Sequence, residues 1–245
     1  MTLHLLRFDP DMARVAVWFA AEGLTPRDNE DDGYGWHALL TAAFCRDLAP
    51  KPFRVFARRG RPTQLLAYAK ADAPTLKARA IDFADPLVMA ALGVESVASK
   101  PMPDFGAGRR LGFSARLRPI VRTDRDGDRA RSRELDVFVA AKLAAEPGET
   151  LDKVGIYADW ARDQIDEAAA EVESLRIDGL ESSDVVRRGR GNGSRPFARI
   201  PGHTITVAGI LRVTDAGSFA ALLTRGLGRH RAFGYGMVLL SPPEA

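Results

Sequence analysis

The order of elements in this sequence predicts an α+β protein of two tandem ferredoxin-like (RRM-like) domains. Three observations carry that prediction. Apolar periodicity alternates between strand and helix in the order β-α-β-β-α-β, and does so twice. Pro101, Pro103, Gly106 and Gly108 punctuate the chain between the two passes. The length, 245 residues, leaves room for two small domains. The expected domains are residues 1–104 and residues 105–245.

In the first half, residues 3–8 read as a strand and residues 11–22 as a helix. Residues 23–33 form a polar, acid-rich loop. Residues 34–46 read as a second helix, because Trp36, Leu39, Leu40, Ala43 and Phe44 fall at helical spacing. Residues 53–58 and 64–69 read as strands joined by a turn at Gly60, Arg61 and Pro62. A helical region is expected over residues 74–92 and a strand over 94–102.

The second half opens with a strand over residues 111–123. Helices are expected over residues 134–145 and 156–173, broken by Pro147 and Gly148. Residues 175–187 and 199–213 read as strands flanking a Gly/Arg-rich tip. Asp215 reads as the N-cap of a helix over 216–225. A glycine-rich turn then leads to a last strand over 235–240.

Composition narrows the function classes. No apolar run is long enough to span a bilayer, and no signal segment is evident at the start. A single cysteine, Cys45, excludes an intramolecular disulfide and a cysteine-based zinc cluster. A cytoplasmic protein is expected. Net charge is only +3, but its distribution is uneven. Residues 185–243 hold nine arginines, one acid (Asp215) and no lysine, so this stretch carries +8 and the remainder −5. Such a block is an electrostatic footprint for a polyanion. Arginine also suits phosphates better than lysine does, because its fork is planar and weakly hydrated.

Four constellations could carry chemistry. The first is Tyr34-Gly35-Trp36-His37. At about 100° per residue, His37 lies roughly 90° from the centre of the apolar stripe, and Tyr34 lies on the same flank. Imidazole titrates near neutrality and can move protons either way. A histidine on a helix flank is, however, most often simply solvated. The second is the loop 226–236, with Gly226, Gly228, Arg229, His230, Arg231 and Gly234. Its glycines permit positive φ and close approach of backbone N–H groups to a phosphate. Equally, it could be a tight helix-to-strand turn. It is neither a P-loop nor a dinucleotide fingerprint.

The third is a strand whose alternation places Arg116, Arg118 and Arg122 opposite Phe113, Ala115, Leu117 and Val121. That basic face could bind RNA or merely face solvent. The fourth is a hairpin tip with Arg187, Arg188, Arg190 and Arg195, and with Arg199 beyond it, which could order on RNA or remain a surface loop. The four histidines, at 4, 37, 203 and 230, match no metal-ligand spacing, so no metal and no cofactor are expected. Glu30, Asp31 and Asp32 could hold a cation, but more simply favour the N-terminus of the helix that follows.

Gly226-Leu227-Gly228 and Arg231-Ala232-Phe233-Gly234-Tyr235-Gly236-Met237 are similar to the C-terminal signature of CRISPR repeat endoribonucleases, closest to the CasE family. Tyr34 and His37, followed by Ala42-Ala43-Phe44, resemble that family's active-site helix. The strand through Phe113-Ser114-Ala115-Arg116-Leu117-Arg118-Pro119 looks like the one that opens its second domain. Arg133-Glu134-Leu135-Asp136 and a helix containing Trp160 also stand where that family places them.

The resemblance implies catalysis by His37 and Tyr34 and recognition of a CRISPR precursor RNA repeat hairpin. It also implies retention of the mature guide RNA with the other subunits of type I-E Cascade, with no membrane partner. Arg46 is the nearest candidate for the extra basic residue such proteins carry beside the histidine. RNA brings its own 2′-hydroxyl nucleophile, so a metal-independent cut is expected, leaving a 2′,3′-cyclic phosphate and a 5′-hydroxyl. Two other readings stay open: a non-catalytic RNA-binding subunit of such a complex, and a small-molecule enzyme whose glycine loop holds a nucleotide.

Overall fold

The computed structural model describes residues 2–57, 60–123, 133–188 and 197–243, with the side chains of 123, 133, 187, 188, 197 and 198 set aside. The first half contains β1 (His4–Phe8), α1 (Met12–Ala21), β2 (Glu30–Asp31), α2 (Gly33–Leu48), β3 (Phe53–Phe56), β4 (Gln64–Ala69), α3 (Ala73–Phe83), α4 (Pro86–Leu92) and β5 (Ala98–Pro101). The second half contains β6 (Arg110–Leu117), β7 (Ile120–Thr123), β8 (Arg133–Asp136), α5 (Val137–Ala144), α6 (Lys153–Asp163), β9 (Ala170–Ser182), β10 (Asp184–Arg188), β11 (Phe197–Ile200), β12 (His203–Val213), α7 (Ala216–Arg225) and β13 (Val238–Ser241).

Each half builds one four-stranded antiparallel sheet, ordered β3-β4-β1-β5 and β13-β6-β12-β9. Counting the four sheet strands of each half along the chain, the first sheet runs second-third-first-fourth. The second sheet has the same order read from its other edge. This is the ferredoxin-like arrangement in both halves.

The two sheets meet because β1 and β4 are apolar on both faces. Leu6, Phe8, Leu65 and Ala67 face the first core with Trp36, Leu39, Leu40, Phe44 and Leu76. Leu3, Leu5, Leu66 and Tyr68 pack into the second core with Phe113, Leu117, Tyr157, Phe219 and Leu222. Tyr68 is buried and its hydroxyl donates to the Val238 carbonyl at 2.8 Å, tying the sheets together. No helix among the described residues is long and apolar enough to cross a membrane.

Several expected boundaries shift, each for a local reason. The strand expected over 111–123 breaks into β6 and β7 at Pro119, which has no N–H for a ladder. The helix expected from residue 134 starts only at Val137, because Asp136 caps it by accepting from the Phe138 and Val139 amides. The three residues ahead of that cap pair with β7 instead. The helix expected to reach residue 173 ends at Asp163, and β9 begins at Ala170. The acid-rich loop contains β2, which joins β10 in parallel, Asp184 opposite Glu30 and Val185 opposite Asp31.

Candidate active site and nucleic-acid interface

Helix α2 carries Tyr34 and His37. Its first turn contains two glycines, each costing about 1 kcal/mol of helix propensity. Burial of Trp36, Leu39, Leu40 and Phe44, at roughly 1.5–3 kcal/mol each, outweighs that. The glycines are needed because the turn is squeezed from both sides. A Cβ on Gly33 would fall 2.1 Å from the Phe233 carbonyl oxygen, and one on Gly35 would fall 2.6 Å from the Phe19 ring.

The Tyr34 and His37 rings lie 6.3 Å apart, both half-buried, on the flank of the apolar stripe. Phe233 of the glycine-rich loop packs on both, 5.7 Å from Tyr34 and 5.4 Å from His37. Burial, then the charges of Lys51 and Arg46, hold His37 below its ordinary pKa of 6.5. The ring is therefore uncharged at neutral pH. It can accept a proton and, once charged, gives it up readily.

Loop 226–236 is a compact fold of backbone. Gly226, Gly228, Gly234 and Gly236 all have positive φ. Leu227 N–H donates to the Gly236 carbonyl, and Gly236 N–H donates to the Arg116 carbonyl, each at 2.8 Å. A Cβ on Gly236 would sit 2.2 Å from the Leu227 oxygen. Glu134 of β8 anchors the outer part, 3.0 Å from His230 Nε2 and 3.3 Å from Arg229 Nε.

Between this loop and the first half lies a cleft of about 920 Å³ whose walls include Lys51, Lys70, Arg225, Arg229, Arg231 and Phe233. Burial, together with the neighbouring Arg225 and Arg229, lowers the pKa of Arg231. Like charges crowded in this way attract an anion.

The basic face expected on β6 is corrected by the structure. Arg118 is 1% exposed, and its guanidinium donates to the carbonyls of Ser183 at 3.0 Å and Ile200 at 2.6 Å. The base of the β10–β11 hairpin covers it, so it offers no surface to RNA. Arg116 is half-buried, 2.7 Å from Asp31 Oδ2 and stacked 4.5 Å above the Tyr235 ring. Arg122 is exposed.

The described base of the arginine hairpin, residues 185–188 and 197–200, is a β-ribbon. Arg187 pairs with Ala198 and Arg188 with Phe197 along its backbone. Arg190 and Arg195 lie outside the described residues. Arg199 turns toward the acidic loop, with Nε 2.5 Å from Asp184, 3.8 Å from Glu30, and a donated bond to the Asp28 carbonyl at 2.9 Å. The acid run ahead of α2 thus neutralises arginines of the second half.

A model of the family described as CRISPR associated protein matches residues 3–242. The chain belongs to this family. Its fold is also similar to solved structures. Thermus thermophilus Cse3, bound to an RNA representing a pre-cleavage complex, is 19% identical with a TM-score of 0.64, over 99% of this chain and 100% of that one. Escherichia coli K-12 Cas6e is 17% identical with a TM-score of 0.51, over 99% and 100%. A chain of a CRISPR RNA-guided surveillance complex in a pre-nicking state is 16% identical with a TM-score of 0.53, over 98% and 99%. No curated protein matches by sequence.

In this CRISPR-associated chain, the fold gathers residues that the sequence did not connect. Lys51 and Lys70 join Arg229 and Arg231 in one cleft. Glu134 was part of a matched motif with no assigned role, and it holds the loop through His230 and Arg229. A second cluster joins Tyr157, Asp136, His203 and Lys153, which no sequence spacing links. Asp136 accepts from the Tyr157 hydroxyl at 2.8 Å and lies 3.0 Å from His203 Nδ1, while Lys153 Nζ is 3.0 Å from His203 Nε2. Asp136 reads locally as a helix cap, and its partners are 21 and 67 residues away.

Proposed function

We propose that this chain is a metal-independent endoribonuclease that binds CRISPR repeat stem-loops in precursor RNA, cuts them, and stays on the mature guide RNA within Cascade. One observation supports the reading: the Tyr34 and His37 side chains, which we assign as the acid–base pair, stand against Phe233, which also walls a cationic cleft between the two halves. A phosphodiester that leaves that cleft past Phe233 would meet His37 on the other side of the ring. Membership of a CRISPR-associated family and likeness in fold to an RNA-bound relative support RNA as the polyanion.

The reaction needs two proton movements. The 2′-oxygen attacks phosphorus in line with the departing 5′-oxygen, the 2′-O–P bond forms and the P–O5′ bond breaks. The 2′-hydroxyl loses a proton and the 5′-oxygen gains one. His37 takes one of these roles, and Tyr34 orients the reacting groups or shares the proton transfer. Lys51, Arg46, Arg229 and Arg231 offset the charge that builds on the phosphoryl oxygens. The products are a 2′,3′-cyclic phosphate and a 5′-hydroxyl.

The test uses a CRISPR repeat stem-loop in excess EDTA. Cleavage at one position is expected, and it disappears when the nucleotide before the cut lacks its 2′-hydroxyl, while binding persists. Activity that needs added magnesium would defeat the mechanism. Tight binding with no cut under any condition would leave a non-catalytic RNA-binding subunit.

A further inference from the structure

The acid run just ahead of the active helix has no evident place in an RNA-binding protein. We propose that Asp31, with Arg116 as its partner, is a positioning residue for RNA cleavage: it fixes the first turn of α2, and so Tyr34 and His37, against the glycine-rich loop of the other half. This inference rests on the reading of Tyr34 and His37 given above.

Asp31 works in two directions. Its Oδ1 accepts from the Gly33 N–H at 2.8 Å, holding the start of α2. Its Oδ2 lies 2.7 Å from Arg116 Nη2. The carboxylate side chain is only 4% exposed, so solvent does little to screen the pair. Arg116 in turn grips the loop twice. Its guanidinium stacks on Tyr235, and its carbonyl accepts from Gly236 N–H.

The loop then returns to the helix. Phe233 packs on both Tyr34 and His37, and its carbonyl oxygen stands so close to Gly33 that any Cβ there is excluded. A closed circuit results: Asp31 to Arg116, Arg116 to the loop, the loop to the active pair, and the pair back through one turn of helix to Asp31. Within such a circuit, small shifts reach the reacting atoms directly. A misplacement of about 1 Å costs on the order of 10²-fold in rate, whereas affinity spread over many phosphate contacts barely changes.

The alternative is an ordinary interdomain ion pair whose loss loosens the whole molecule. Three variants separate the two views: Asp31→Ala, Asp31→Asn and Arg116→Lys. For each, the single-turnover rate on a repeat stem-loop, the Kd for the uncleavable 2′-deoxy RNA and the thermal midpoint are measured. Asp31→Ala is expected to slow cleavage roughly 10- to 100-fold with Kd within about threefold of wild type. Asp31→Asn should retain more activity, because its amide oxygen still accepts from Gly33 N–H. Arg116→Lys keeps the charge but not the stacking geometry, and falls between wild type and Asp31→Ala.

Asp31→Ala cleaving within about threefold of wild type would overturn the proposal. So would parallel loss of rate, affinity and thermal stability in all three variants. His37→Ala is run alongside. If it cleaves normally, the reading of the active pair fails; if it is inactive while Asp31→Ala is normal, only the positioning role fails.

Discussion

Tyr34 with His37 and Tyr157 with His203 are two tyrosine–histidine pairs built in opposite ways. The second has the hydrogen bonds of a catalytic triad. Tyr157 is fully buried and donates to Asp136, the same carboxylate faces His203 Nδ1, and Lys153 caps Nε2. A lysine ammonium can only donate, so Nε2 accepts and Nδ1 carries the ring proton toward Asp136. Burial and then Asp136 raise the Tyr157 pKa far above its ordinary value. Every proton there is already engaged in holding β8, α6 and β12 together.

The first pair has the reverse character. Among the described residues no side chain hydrogen-bonds the His37 ring; Tyr34 and Phe233 flank it with aromatic surface, and burial, then nearby cations, lower its pKa. Internal satisfaction suits a structural cluster, whereas the proposed reactive histidine is flanked by aromatic rings, one of which, Phe233, also walls the cationic cleft. Hydrogen-bond geometry alone would favour Tyr157 and His203, the opposite of the proposed assignment.

Exchanging the fates of the two histidines would break this comparison most sharply. His37→Ala should cut the single-turnover rate by a factor on the order of 10² or more, with RNA affinity little changed. His203→Ala should leave the rate within a few-fold and lower stability by about 1–3 kcal/mol, since Asp136 loses a buried partner. A folded His203→Ala protein that no longer cleaves would reverse the assignment.

The cleft gives the next largest effect. Replacing Arg225, Arg229 and Arg231 by Ala should flatten the slope of log K against log [salt] by about 2.1–2.7, at roughly 0.7–0.9 per lost phosphate contact. Replacing Arg187, Arg188, Arg190 and Arg195 tests the hairpin in the same way. An unchanged slope in either set removes that set from the RNA interface. Arg118→Ala should instead lower the thermal midpoint, because the Ser183 and Ile200 carbonyls lose their donor.

The smallest effect concerns proton affinity. Lys51→Met removes a positive neighbour, so the His37 pKa should rise toward 6.5. The histidine-dependent limb of the pH–rate profile should move to higher pH, and an NMR titration of the ring should move with it. No movement, or movement downward, would place Lys51 too far away to act on the site.

Much of the fold was legible because its signals are local. The stripe Trp36, Leu39, Leu40, Ala43 and Phe44 is fully buried as its spacing predicts, and Asp215 caps α7 by accepting from Ser218 N–H. Failures came where a local signal had two meanings. Residues 133–136 continue smoothly into a helix by propensity, yet they pair with β7. Alternation put Arg116 and Arg118 on one open face, but alternation cannot reveal that another chain segment covers that face.

The sequence by itself determined the element order, the flank of α2 that carries Tyr34 and His37, and the arginine excess of the last quarter, because these follow from neighbours within a few residues. Only the tertiary structure decided what each arginine does. Arg116 meets Asp31 across 85 residues, Arg118 meets Ser183 across 65, and Arg229 meets Glu134 across 95. Such pairings depend on where two sheets dock, which is set by apolar burial on both faces of β1 and β4. A charge pattern read along the chain carries no record of which carboxylate or carbonyl that docking will bring within hydrogen-bond reach.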